Sequence, residues 1–175
     1  MTAALLSACR SEPASTIRVR VGEGPDQQRS FVPKVALAEY LNVPDLRGEL
    51  RLTLADYDAP CDRFVPPDDD QTNVSVLIVT PKGVIPSPGT YPWGGPEAHG
   101  GTAAQPERPF AVPKVHLGPH SHLFPPGGSV RLTRVGLERD GQVEGVLDLE
   151  FPGDAQRPAA SLRGNFQAQI CKTNR

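Results

Sequence analysis

Apolar positions recur at every second residue over much of this chain. Ile17-Arg-Val-Arg-Val21 alternates strictly, apolar on one side and Arg on the other. Leu46 to Leu54 puts Leu46, Gly48, Leu50, Leu52 and Leu54 on one side, and Leu147-Asp-Leu-Glu-Phe151 repeats the pattern. Leu162 to Ile170 puts Leu162, Gly164, Phe166, Ala168 and Ile170 inward. A period of two with one polar face predicts half-buried, antiparallel strands. Asn73 to Thr80 is apolar on both faces and predicts a central strand. Phe31 to Tyr40 and Arg108 to Leu117 are interrupted by Pro and predict edge or irregular strands.

Between Ser129 and Leu137 the pattern slips. Val130 and Leu132 share one parity, Val135 and Leu137 the other. One extra residue near Thr133 or Arg134, forming a bulge, accounts for the slip. Asp140-Gly141 beyond it predicts a tight hairpin turn with positive φ at both positions. No stretch carries a 3.6-residue period. The expected fold is all-β, an antiparallel β-sandwich of about eight or nine strands, with a β-barrel as the alternative.

Composition agrees. The 175 residues suit one domain, and 20 Pro with 17 Gly disfavour long helices. A net charge of −2 gives no electrostatic footprint for nucleic acid. No apolar run reaches the length of about 18 residues needed for a membrane span.

Two short matches lie 80 residues apart: Val32 to Leu37 with Val112 to Leu117, and Gly48 to Thr53 with Gly128 to Thr133. The shared offset suggests two related halves, with coincidence as the alternative.

The N-terminal residues point to a compartment. Leu6-Ser7-Ala8-Cys9 resembles the lipobox of bacterial lipoproteins, in which an aliphatic residue and two small residues precede the cysteine that is lipidated. The resemblance implies a residual, truncated signal peptide over 1–8, a lipidated tether over 9–15 and a β-sandwich domain over 16–175. Lipoproteins with Asp after the lipidated cysteine are often kept at the inner membrane. Arg10 in that place implies the outer membrane. The chain is similar on these grounds to small bacterial lipoproteins carrying one β-sandwich, some of unknown function. With Cys9 lipidated, Cys61 and Cys171 remain as an even pair, able to form a disulfide in an oxidising compartment or to stay as buried thiols.

Candidate chemistry is sparse. His116, His120 and His122 offer imidazoles for Zn or Cu, with His99 as a possible fourth ligand and a solvated loop as the plainer reading. Asp68, Asp69 and Asp70 with Asn73 offer oxygens for Ca²⁺ but lack the EF-hand spacing, so a solubilising turn is the plainer reading. Tyr91 and Trp93 sit in a Gly/Pro-rich stretch, where aromatics either stack on sugars or plug the end of a sandwich. There is no G-x-S-x-G, H-E-x-x-H, P-loop or G-x-G-x-x-G. A triad set by geometry alone stays open. The reading is a lipid-anchored cell-envelope module that acts by binding or structural association. It calls for no cofactor. Its partners are the membrane, through the anchor, and a protein or glycan.

Overall fold

The computed structural model describes residues 15–22, 28–43, 47–60, 65–94, 106–123 and 127–174. Cys9, Cys61 and His99 lie outside them, as do all residues up to 14, where the signal and most of the tether were expected. Eleven strands form among the described residues: β1 (Thr16–Val21), β2 (Gln28–Phe31), β3 (Val35–Val43), β4 (Arg47–Ala55), β5 (Thr72–Thr80), β6 (Gly89–Pro92), β7 (Phe110–Leu117), β8 (His120–Leu123), β9 (Gly127–Val135), β10 (Gln142–Phe151) and β11 (Ala160–Asn174). The described residues contain no helix. The all-β reading holds, with more strands than the eight or nine expected. Phe31 to Tyr40 divides between β2 and β3 because Val32-Pro33-Lys34 breaks the ladder.

The strands make one sheet in the order β6-β9-β10-β11-β3-β4-β5-β7-β8, with β1 and β2 branching from β11. β11 explains why two separate sheets do not form. Its first part pairs with β10 on one side and β1 on the other. Beyond Gln169 it pairs with β3 instead, in parallel, through an irregularity between Ile170 and Lys172. One strand therefore serves both limbs of the sheet. The parallel β11–β3 pair departs from the all-antiparallel expectation. Long twisted sheets curl rather than stay flat, and bulges sharpen the curl. The result is an open half-barrel. An isolated bridge between Trp93 and Ala111 brings the chain after β6 against β7.

The concave side holds one hydrophobic core drawn from both limbs, including Ile17, Leu50, Leu52, Leu54, Val76, Ile78, Val115, Leu132, Leu147, Leu162 and Phe166. Each such side chain contributes about 1.5–3 kcal/mol on burial. The inward positions read from alternation in β4, β10 and β11 are the buried ones, apart from half-buried Gly164 and the undescribed Leu46. At Gly164, φ is 155° and an added Cβ would lie 2.1 Å from the Thr16 carbonyl oxygen of β1. Glycine there lets β1 lie close against β11.

The slip in β9 is a bulge at Thr133. Arg134 faces Glu144 and Leu132 faces Gly145, leaving Thr133 unopposed. The connection to β10 is longer than the two-residue turn expected at Asp140-Gly141. It runs over 136–141, and of those two residues only Asp140 has a positive φ, 64°. Gly141 accepts from the Ile170 N–H at 2.7 Å, so contact with β11 shapes the loop as much as local turn chemistry does. The proposed internal repeat has no counterpart in the pairing. β3 and β4 are direct antiparallel neighbours, whereas β7 pairs with β5 and β8, and β9 with β10 and β6.

Candidate functional site

β5, β7 and β8 turn a polar surface outward. Register sets its layout, because residues directly opposite on paired strands share a face. Asn73 faces His116, which faces Ser121 across the β7–β8 hairpin. Two residues along, Ser75 faces Lys114. These five side chains, walled by Pro66 and Pro67, line a cleft of about 310 Å³. That is the lower end of the usual range for small-molecule sites, roughly 300–1,000 Å³.

The wall is held by hydrogen bonds at both ends. Asn73 Nδ2 donates to the Tyr57 hydroxyl at 2.9 Å, and that hydroxyl donates to the Val65 carbonyl at 3.0 Å. Burial pushes the Tyr57 hydroxyl above its ordinary pKa, the Asn73 bond opposes the shift, and Asp56 adds to it. The phenol is therefore a standing donor at neutral pH. At the other end, Gln71 closes a turn on Asp68, its N–H donating to the Asp68 carbonyl at 3.0 Å. Gly118 N–H donates to Gln71 O at 3.0 Å, tying that turn to the β7–β8 hairpin. His116 Nε2 lies 3.2 Å from the Asp68 carbonyl, so the tautomer protonated at Nε2 donates to it.

The remaining polar groups of the cleft are uncommitted. Lys114 Nζ and the hydroxyls of Ser75 and Ser121 make no hydrogen bond or ion pair with any described residue. An ammonium and two hydroxyls thus converge on one cavity with capacity to spare.

The histidine triplet is only partly assembled. His116 lines the cleft, but His120 faces Leu117, whose side is the core side. Strand alternation puts 116 on one face of the hairpin and 120 on the other. The side chain of His122 lies outside the described residues. Among the described residues no group of three His, Cys, Asp or Glu side chains is placed to hold a metal ion. Asp68, Asp69 and Asp70 are exposed on the Gln71-closed turn, as a solubilising turn requires.

The aromatic pair also needs correcting. Tyr91 has 4% of its surface exposed, and its hydroxyl donates to Ser87 O at 2.6 Å while accepting from Ser87 N–H at 3.0 Å. Buried on both counts, it has no open ring for a sugar. Trp93 is half-buried where β6 meets β7, with its indole N–H buried and unpartnered among the described residues. Cys171 is half-buried on β11.

Alternation alone marked β5 as buried on both faces, and this concealed Ser75. Lys114 and Ser121 carry no motif. The available signal was the outward parity of Lys114 and His116 in β7, which becomes a site only once β5 and β8 are known to flank it.

No known protein family, curated protein or solved structure matches this chain.

Proposed function

We propose that this chain is a lipid-anchored protein of the bacterial cell envelope, acylated on Cys9, whose all-β body works by binding rather than by catalysis. The observation that carries the reading is Leu6-Ser7-Ala8-Cys9 followed by the short polar stretch Ser11-Glu-Pro-Ala-Ser15. A disulfide at Cys171 belongs to the same reading, because such bonds persist in oxidising compartments. With Cys9 acylated, Cys61 is the remaining partner in the chain. The two limbs joined by β11 share one core and act as the facing layers of a sandwich-like body. Arg10 after the lipidated cysteine favours the outer membrane. The cleft on β5, β7 and β8 is the site this reading assigns to a ligand.

Expression in a bacterial host fed an alkyne-tagged palmitate tests the anchor. The full chain should take up the label and sediment with membranes, and Cys9→Ser should do neither. An unlabelled, freely soluble wild-type chain would overturn the proposal.

A further inference from the structure

The uncommitted groups of the cleft specify a kind of ligand. Among the described residues that line the cleft, Lys114 is the one cation. Ser75 is directly opposite Lys114, so an ammonium and a hydroxyl are presented side by side. An ionised acceptor makes shorter and stronger hydrogen bonds than a neutral one, which favours a carboxylate at this position. One row further, the Ser121 hydroxyl and the outward edge of His116 suit neutral hydroxyl groups. Pro66 and Pro67 give the wall an apolar surface without backbone donors.

The rim limits the charge. Asp68, Asp69 and Asp70 lie on the turn whose carbonyl meets His116. Exposed carboxylates repel further negative charge over roughly a Debye length, about 8–10 Å at physiological salt. A ligand with several anionic groups would be opposed there more strongly than a single carboxylate set beside Lys114. The volume of about 310 Å³ suits a molecule the size of one sugar ring.

We propose that the Ser75–Lys114–His116–Ser121 cleft binds a small, hydroxyl-rich monocarboxylate of the sugar-acid class. This rests on the binding half of the proposed function and is independent of acylation, so a failure of one leaves the other standing. D-glucuronate is the probe, titrated into isotope-labelled full-length chain and followed by amide and side-chain NMR shifts. Millimolar glucuronate should shift the signals of Ser75, Lys114, His116 and Ser121. D-galactose, which lacks the carboxylate, and citrate, which carries three, should bind at least tenfold more weakly. Lys114→Gln should weaken glucuronate by at least tenfold, and Ser75→Ala by less, with the rest of the spectrum unchanged. No shift at millimolar glucuronate, an equal response to galactose, a stronger response to citrate, or binding untouched by Lys114→Gln would each overturn the proposal.

Discussion

On β7, Ala111, Pro113, Val115 and Leu117 are buried in the core, while Lys114 is exposed and His116 half-buried on the opposite face. β5 repeats the contrast more faintly, with Val74, Val76 and Ile78 inward and half-buried Ser75 among its outward residues. The same two-residue period builds both surfaces, but the surfaces differ in what holds them. The inner face is held by area removed from water, which is non-directional and shared among many side chains. The outer cleft is held by a few directional bonds, chiefly Tyr57 to Asn73 and to Val65. Damage to the core should therefore appear as lost stability, and damage to the cleft as lost recognition.

The largest effect should come from the core. Phe166 is 2% exposed and packs where Gly145 leaves room for its ring. Phe166→Ala should cost about 3–5 kcal/mol in urea unfolding, from lost transfer energy and the cavity left behind. A loss below about 1 kcal/mol would mean that the core is not the contiguous unit described.

Next comes the covalent brace. If Cys171 pairs with Cys61, the bond closes a loop of about 110 residues, and Cys171→Ser should cost about 2–5 kcal/mol. Reducing agent should have the same effect on the wild type and none on the variant. A sulfur-bridged peptide map joining Cys171 to any residue other than Cys61 would refute the pairing.

Asn73→Ala probes the boundary between the two faces. It removes the donor to the Tyr57 hydroxyl, and the loss should be about 1–2 kcal/mol. Because Tyr57 also holds Val65 at the base of the wall, amide exchange over residues 65–71 should quicken more than exchange in β10. Uniform quickening would show that the wall is not separately held.

Lys114→Gln should leave stability within about 0.5 kcal/mol, as surface substitutions usually do. That result, set beside its expected loss of glucuronate binding, separates the two faces most cleanly.

The smallest effect concerns the loop behind β8. Arg157 donates to the Ser121 carbonyl at 3.2 Å and pairs with Asp154. The Arg157 side chain, helped by the Gln156 N–H, holds the Asp154 carboxyl down at about 2. A depressed carboxylate pKa contributes stability above its unfolded value, near 3.9, and loses it as pH falls through the folded value. Asp154 should titrate near pH 2 by NMR, and Arg157→Gln should raise it toward the ordinary carboxylate range, short of a full return because the backbone N–H groups of residues 156 and 157 still donate to it. An ordinary midpoint in the wild type would mean that the pair does not form in solution.

Much of the fold was legible from the chain, for a physical reason. Burial on one face forces alternation, so β1, β4, β10 and β11 stand out, and the parity slip narrowed the bulge to Thr133 or Arg134, of which Thr133 is the unopposed residue. The partner exchange along β11 was not legible, because alternation records which face is buried and not which strand lies beside it. The 80-residue similarity misled for the same reason: short runs of Val, Pro and Leu suit many strands whatever their neighbours. The cleft was hidden because its groups come from 46 residues apart in sequence, Ser75 to Ser121, and meet only through register. Single residues with conspicuous chemistry were poor guides. Tyr91 proved to be core, and His116 and His120 divide between two faces.

The measurement that bears most directly on the central claim is mass spectrometry of the mature protein purified from the membranes of its own cells. The account predicts an N-terminal peptide beginning at Cys9 and carrying diacylglycerol, together with a Cys61–Cys171 bridged peptide in the same digest. An N-terminal peptide that runs unmodified through Cys9, with Cys61 recovered as a free thiol, would contradict it.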